Sequence, residues 1–108
     1  MSRLMVFALL FAASITACTG HTYRIKNNSL HIYLKEADAR SVLFLCSLDG
    51  FAPHEANRID KRTWEIVLPA KIEFKYFYLV DGVPFIPACK YKENDDFGSQ
   101  NCVFIPGM

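Results

Sequence analysis

The chain has 108 residues, of which 52% are hydrophobic and 14% aromatic, and its formal net charge at pH 7 is +1. This length predicts one small domain. A net charge so close to zero gives no electrostatic reason to expect nucleic acid or anionic lipid as a partner, so no nucleic-acid binding is expected.

The first 17 residues are predicted to lie outside the fold. Arg3 supplies a positive start, and residues 4–13 form an almost unbroken apolar run that is too short for a comfortable transmembrane helix. The run leads into Ile-Thr-Ala-Cys at residues 15–18, which resembles a bacterial lipobox, whose cysteine is lipid-modified after cleavage. The resemblance implies a lipoprotein signal peptide at residues 1–17 and lipidation at Cys18.

Two other interpretations of this leader stay open. Ala17 also suits an ordinary secretory signal peptidase, and the segment would otherwise remain as an uncleaved anchor. All three interpretations put the domain outside the cytoplasm. The lipoprotein interpretation places it at the bacterial cell envelope, at the outer membrane or the periplasmic face, with a lipid anchor and not a span as its membrane contact. Residues 18–29 are mostly polar and are predicted to be a tether, which leaves residues 30–108 as the domain.

Short strands separated by turn signals follow one another through the domain. The clearest is IEFKYFYLVDG at residues 72–82, because aromatic and β-branched side chains favour a pleated backbone and its Asp-Gly end favours a hairpin turn. Further strands are predicted at residues 30–35, 41–47, 63–68, 83–86 and 103–105. The pattern has no helical periodicity. It predicts an all-β protein, an immunoglobulin-like antiparallel β-sandwich preceded by a cleavable apolar signal segment.

The two faces of the strand at residues 72–82 differ, because successive side chains of a strand point in opposite directions. The apolar face is predicted to be core and consists of Ile72, Phe74, Tyr76, Tyr78 and Val80. The opposite face is mixed and is where a function is expected; it consists of Glu73, Lys75, Phe77, Leu79 and Asp81. In the strand before it, Trp64 is assigned to the core because it alternates with Ile66 and Leu68.

Cysteine usage predicts a covalent cross-link and no metal site. Cys89 and Cys102 flank the polar segment 90–101, and an extracytoplasmic compartment permits a disulfide that would close this loop and stabilise the fold by about 3 kcal/mol. Cys46 lies in an apolar strand and is expected to be a buried free thiol. Because neither a CxxC pair nor a zinc-type His/Cys spacing is present, no metal or cofactor is expected.

Four segments resemble, in order and spacing, the motifs of family 48 carbohydrate-binding modules. VLFLCSLDGF at 42–51 resembles the family's first strand with its aromatic exit, and TWEIVLP at 63–69 its tryptophan strand. FKYFYLVDG at 74–82 resembles its Tyr-Lys-Phe-x-Val-Asp-Gly strand, and DDFGSQNCV at 95–103 its closing Asp-x-x-Gly-x-x-Asn-x-Val segment. The family includes the N-terminal domains of isoamylase-like enzymes and the glycogen-binding domain of the AMP-activated kinase β subunit. The resemblance implies an immunoglobulin-like fold.

The resemblance also implies a carbohydrate site. Members that bind α-glucans use two tryptophans, a lysine and residues of the closing segment. Phe51 stands at the first tryptophan position, and the second falls at Pro84, or at Phe85 if the hairpin is shifted by one. Phe77 stands at the lysine position, with Lys75 on the same face as a substitute. The ligand-binding residues so predicted are Phe51, Lys75, Phe77, Phe85, Phe97, Ser99 and Asn101.

Two functions are compatible with these residues. In the first, the chain is a non-catalytic envelope lipoprotein that binds a glycan of α-glucan type through an aromatic platform. In the second, the phenylalanines are core or covered, and the domain is a protein-interaction or structural envelope module with a degenerate sugar site.

An enzyme is not expected. The three histidines, His21, His31 and His54, have no serine or cysteine partner at a readable spacing. Glycoside hydrolysis needs two carboxylates opposed across a cleft, and the adjacent Asp95 and Asp96 are more typical of a solvated turn.

Overall fold

The computed structural model describes residues 20–94 and 99–107, so the leader with Cys18 and the segment with Phe97 lie outside the described residues. The described residues form ten β-strands and a short 3₁₀ helix, Ser47–Asp49. The strands are β1 His21–Lys26, β2 Ser29–Lys35, β3 Val42–Cys46, β4 His54–Glu55, β5 Asn57–Arg58, β6 Thr63–Pro69, β7 Phe74–Val80, β8 Val83–Phe85, β9 Lys92–Asn94 and β10 Gln100–Phe104.

The strands build two antiparallel sheets. The first sheet has the order β1-β2-β6-β5, and the second has the order β4-β3-β7-β10-β9 with β8 also pairing with β7. The prediction of an all-β chain with antiparallel sheets is therefore confirmed, and the described residues contain no α-helix.

One apolar cluster takes side chains from both sheets. From the first sheet it includes Leu30, Ile32, Leu34, Trp64 and Ile66, and from the second Phe44, Cys46, Phe74, Tyr76, Tyr78, Cys102 and Phe104. The two sheets therefore pack face to face, as in a β-sandwich. The predicted core positions of Trp64, Phe74, Tyr76 and Tyr78 are confirmed, since all four side chains are buried.

The predicted core position of Ile72 is wrong. Strand β7 begins at Phe74, where it pairs with Phe104 of β10, and Ile72 lies in the preceding loop with 49% of its surface exposed. Side chains alternate between the two faces only where a strand pairs with a neighbour. Ile72 lies before that pairing begins, so its side chain is not directed into the core.

A strand also replaces most of the predicted tether. Residues 21–26 form β1, which pairs along its whole length with β2, from His21 opposite Leu34 to Lys26 opposite Ser29. The two-residue turn between them is Asn27-Asn28, with φ values of 50° and 67°. Asparagine tolerates this left-handed conformation and so favours the tight hairpin. The tether interpretation is wrong for these six residues.

The turn after β7 is held by a carboxylate. Asp81 and Gly82 have positive φ values of 50° and 81°, so they form the two-residue hairpin turn that their sequence predicts. The Oδ1 atom of Asp81 accepts hydrogen bonds of 2.8 Å from the backbone N–H groups of both Arg40 and Ser41. This carboxylate therefore ties the β7–β8 hairpin to the start of β3.

Cys89 and Cys102, the pair predicted to be bridged, are joined by a disulfide, and Cys46 is a buried free cysteine. Replacing both bridged cysteines by serine is expected to lower the free energy of unfolding by about 3 kcal/mol, because the bridge closes a loop with a sequence separation of 13. Urea unfolding measures this change. A reductant should destabilise the natural chain equally and leave the double variant unchanged; an unfolding midpoint of the natural chain that ignores reduction would contradict the prediction.

Candidate ligand-binding site

The candidate site lies on the outward face of the second sheet, around β7. Along this strand Phe74, Tyr76 and Tyr78 are buried, so the alternating residues between them point away from the core. These outward residues include Lys75 and Phe77. The mixed face predicted from the sequence is thus the outward face of the sheet.

Phe51 and Phe77 come together on this face. Their ring centroids are 6.0 Å apart with an interplanar angle of 31°, and both side chains are half-buried. We call them the Phe51–Phe77 pair. Centroid separations of this size are typical of interacting aromatic side chains. Two of the predicted residues, far apart in sequence, therefore form one apolar surface.

An unusual backbone conformation delivers Phe51 to this position. After the 3₁₀ helix Ser47–Asp49, Gly50 and Phe51 both have positive φ, at 71° and 64°. The N–H of Phe51 then donates a 2.8 Å hydrogen bond to the carbonyl of Cys46, which closes the turn. Left-handed backbone at a bulky residue is strained, and such residues concentrate at binding and catalytic sites.

A cavity of about 410 Å³ lies beside Phe77, and we call it the Phe77 cavity. It is lined by Phe77, Pro84, Ile86, Ser99 and Gln100. The strand pairing explains the position of this cavity. Strand β3 pairs with one side of β7, and both β8 and β10 pair with the other side. On that side β8 and β10 lie end to end, because Tyr78 pairs with Phe85 of β8 and Tyr76 pairs with Cys102 of β10. The cavity lies where these two strands end, and its polar lining residues, Ser99 and Gln100, carry a hydroxyl and an amide.

Lys75 points to the same face but is engaged in an ion pair. Its Nζ lies 2.8 Å from Oε1 of Glu93 on β9, and both side chains are substantially exposed. Its backbone N–H donates a 3.0 Å hydrogen bond to Oγ of Ser47. An ion pair this exposed is weak, so a ligand could displace Glu93 at small cost.

Asn101 is on the outward face of β10, opposite Glu93, but only 9% of its surface is exposed. The side chain is available to a ligand only through that small area. Phe97, the remaining aromatic residue of the predicted site, lies outside the described residues.

Phe85 does not join the site, and the prediction that it does is wrong. It pairs with the buried Tyr78, so its side chain points inward and packs against the core cluster. Pro84, which pairs with the outward Leu79, takes the place beside Phe77. The sequence carried the signal for this: a two-residue Asp81-Gly82 turn sets Val80 opposite Val83, which requires Phe85 to lie opposite Tyr78.

Two other lining residues, Ile86 and Gln100, were not predicted. Ile86 lies in none of the four motifs, and Gln100 stands at a variable position of the closing one. They meet because β8 and β10 both end along the same side of β7. A contact of this kind depends on the ends of two strands that pair with a third, which residue patterns do not record.

The histidines are held by separate partners. Nδ1 of His31 lies 3.0 Å from Glu65, and His54 forms a short contact with Asp49, whose carboxyl pKa is lowered chiefly by that hydrogen bond. His21, predicted to lie in a tether, is packed between the sheets with its Nε2 3.3 Å from the hydroxyl of Tyr78. Burial lowers the pKa of His21 to about 4.

The part of the chain that the structure describes holds neither a metal-binding cluster nor a membrane-spanning helix. Among residues 20–94 and 99–107, no group of three His, Cys, Asp or Glu side chains is arranged to hold a metal ion. In the same two ranges, no helix has both the length and the apolar character needed to cross a membrane.

The fold and the site together define a class: an all-β domain of two antiparallel sheets with an aromatic pair beside a cavity on one outward face. Comparison with known families and proteins adds no narrower assignment, since no family model matches the chain and no curated protein matches its sequence.

Proposed function

We propose that this chain is a non-catalytic, lipid-anchored envelope protein whose immunoglobulin-like domain, of the family 48 carbohydrate-binding type, binds a glycan on the outward face of its second sheet. Cys18 is the proposed lipidation site, and the ligand is of α-glucan type. The observation that carries the proposal is the Phe51–Phe77 pair beside the Phe77 cavity.

The strand order supports the immunoglobulin-like part of the proposal. Immunoglobulin domains have one sheet of strands A-B-E-D and another of C-F-G, with C′ added beside C in the variable type. The order β1-β2-β6-β5 corresponds to A-B-E-D, and β4-β3-β7-β10 corresponds to C′-C-F-G.

The chemistry of the outward face supports glycan binding. A sugar ring presents C–H groups on its faces and hydroxyls on its rim, so it suits an aromatic surface bordered by hydrogen-bonding groups. Here the Phe51–Phe77 pair supplies the aromatic surface, and Ser99 and Gln100 supply a hydroxyl and an amide at the cavity wall.

Affinity electrophoresis in gels containing glycogen, or other α- and β-glucans, tests the proposal. The natural chain is expected to be retarded by an α-glucan. Phe51→Ala and Phe77→Ala should each weaken binding about three- to tenfold, since one aromatic contact contributes about 0.5–1.5 kcal/mol. The matched control is Tyr33→Ala, which removes a half-buried ring from the first sheet and should leave the mobility unchanged. Unretarded migration across the whole glucan panel would refute glycan binding.

The alternative function, a protein-interaction or structural envelope module, is favoured by one observation. Val83, at the tip of the β7–β8 hairpin, is 63% exposed next to Pro84 of the Phe77 cavity. Val83 lies opposite Val80, on the other face of the hairpin from Phe77, and an exposed aliphatic side chain there suits a protein contact better than a sugar. Crosslinking in the envelope distinguishes the two: the alternative predicts a partner that Val83→Asp removes, together with indifference to glucans.

A further inference from the structure

The outward face of the first sheet carries a second candidate site, on the opposite side of the sandwich from the Phe51–Phe77 pair. In β2 the side chains of Leu30, Ile32 and Leu34 are buried, so the residues between them point away from the core. Residues directly opposite each other in paired strands share a face, so this face continues onto β1 and β6. We call it the β1–β2 face, and its centre consists of Arg24, Lys26, Ser29, His31, Tyr33 and Glu65.

Two cations of this face carry charges that no carboxylate neutralises. Arg24 and Lys26 are both exposed and lie two residues apart on the same face of β1, which separates their Cα atoms by about 7 Å. Among residues 20–94 and 99–107, no ion pair includes either side chain. A third cation, Lys35, stands at the end of β2, where its charge acts on Asp60. Arg24 and Lys26 are therefore available to an external anion.

A carboxylate also lies on the β1–β2 face, but two neighbours hold it. Oε2 of Glu65 lies 3.0 Å from Nδ1 of His31, and the Tyr33 hydroxyl donates a hydrogen bond to the same carboxylate. Desolvation, this hydrogen bond and the charge of Glu65 raise the pKa of Tyr33, and the charge of Arg24 acts in the opposite direction. The guanidinium of Arg24 thus lies close enough to act on Tyr33 and is not spent on Glu65.

Two rings lie beside these cations. The ring centroids of His31 and Tyr33 are 6.5 Å apart with an interplanar angle of 18°, and both side chains are half-buried. His31 stands directly opposite Arg24, and Ser29 directly opposite Lys26. Strands β1 and β2 pair along their whole length, so the rings and the two cations are held in a fixed register. Flat rings next to positive charge suit a ligand ring that carries an anionic group.

We propose that the β1–β2 face binds an acidic sugar, a pyranose ring that bears a carboxylate. The planar fork of N–H groups on Arg24 matches a carboxylate in bidentate geometry, and the ammonium group of Lys26 adds a second positive charge. The sugar ring lies against the rings of His31 and Tyr33. This ligand differs from the neutral glucan proposed for the second sheet, so the two sites are independent.

The number of cations favours an acidic sugar over the other anionic partners. Anionic bilayers and nucleic acids are bound by larger groups of lysines and arginines, about four to ten. The centre of the β1–β2 face has two, Arg24 and Lys26. Two cations beside a pair of rings match one or two charged sugar units.

Isothermal titration calorimetry of the full chain with trigalacturonate tests the proposal. The fully methyl-esterified trisaccharide is the matched ligand, because it has the same sugar chain and no charge. Trigalacturonate is expected to bind about fivefold more tightly than the ester at low salt, since two exposed ion pairs act together. This advantage should shrink as the salt concentration rises. No binding of trigalacturonate, or equal binding of the ester, overturns the proposal.

Arg24→Gln tests the role of the guanidinium. The variant should lose most of the advantage of trigalacturonate over the ester, and Arg24→Lys, which keeps the charge and loses the planar fork, should retain part of it. The matched control is Arg40→Gln, at an exposed arginine between β2 and β3, which should bind as the natural chain does. An advantage that survives in Arg24→Gln overturns the proposal.

Further ligands test the sugar ring and the class of partner. Tricarballylate has three carboxylates and no sugar ring, so it should bind more weakly than trigalacturonate. Tighter binding of tricarballylate, of glycerol phosphate as a lipid headgroup, or of a short oligothymidylate overturns the assignment to an acidic sugar. Phe77→Ala should leave the trigalacturonate affinity unchanged; a loss in that variant would place the acidic sugar at the Phe51–Phe77 pair and overturn the proposal. Failure of glucan binding leaves these results unaffected, because they concern a different sheet.

Discussion

Replacing Phe44 by alanine is expected to lower the free energy of unfolding by about 3–5 kcal/mol. The side chain is 1% exposed, and its ring lies among three others, with centroids 5.3 Å from Tyr76, 5.4 Å from Tyr78 and 6.4 Å from Phe74. Truncation removes the contacts with all three rings and leaves a cavity that surrounding strands cannot fill. Because a small domain has about 5–15 kcal/mol of stability in total, the variant is expected to be marginal.

Urea unfolding followed by tyrosine and tryptophan fluorescence measures this loss. Phe44→Leu keeps most of the side-chain volume and should lower the free energy of unfolding by about 1–2 kcal/mol. This smaller loss can still be measured if the alanine variant fails to fold. Phe51→Ala, which truncates a half-buried phenylalanine on the outward face, serves as the comparison. A loss in Phe44→Ala no greater than that in Phe51→Ala would contradict this account of the core.

The second large effect is a loss of stability in acid caused by His21. Burial lowers the pKa of this imidazole from 6.5 to about 4, and its ring packs against those of Tyr76 and Tyr78, with centroid distances of 5.8 and 5.9 Å. The pKa of both tyrosines is raised by their own burial, so their hydroxyls stay neutral and able to donate. The folded protein therefore holds His21 uncharged where the unfolded chain would protonate it.

The direction in which stability changes with pH follows from the difference in proton uptake between the folded and unfolded states. Between pH 6.5 and about 4 the unfolded chain binds a proton at His21 and the folded protein does not, so the stability falls as the pH falls through this window. The full loss is on the order of 3 kcal/mol. Above pH 6.5 both states are neutral at this position, and the contribution no longer depends on pH.

The measurement is urea unfolding between pH 7.5 and 4, compared between the natural chain and His21→Gln. Glutamine cannot be protonated, so the stability of the variant should depend less on pH across the window, and the difference between the two curves isolates His21 from the carboxylates. His54→Gln, at an exposed histidine, should keep the steep dependence of the natural chain. Parallel curves for the natural chain and His21→Gln would refute the prediction.

Much of the fold was predictable because strand patterns are local. The alternation of aromatic side chains in β7 identified Phe74, Tyr76 and Tyr78 as core, and Asp81-Gly82 identified the hairpin turn that follows. Strands whose residues match the period of two were therefore found with nearly correct limits. The edge strand β1 was missed because five of its six residues are exposed, which makes its sequence look like a polar tether.

The candidate site was predictable only in part. The resemblance of motifs predicts both Phe51 and Phe77 as ligand-binding residues, and the structure brings their ring centroids to 6.0 Å. Phe85 was assigned to the wrong face, because a shift of one residue in a hairpin turns every side chain to the opposite side. A cavity of about 430 Å³, lined by Phe44 of one sheet and Ile66 of the other, had no signature in the sequence, since its lining comes from segments that meet across the two sheets.

The amino-acid sequence by itself determined that this protein is built of short antiparallel strands with an aromatic core, because side-chain period and turn chemistry act over a few residues. The tertiary structure alone decided which outward residues meet. The pairing of β7 with β3 on one side and with β8 and β10 on the other sets the position of the Phe77 cavity. The short strands β4 and β5 leave a further cavity of about 430 Å³ open at the edge of the sandwich. Both cavities depend on where each strand stops pairing with its neighbour in the sheet. Packing between segments far apart in the chain determines those end points.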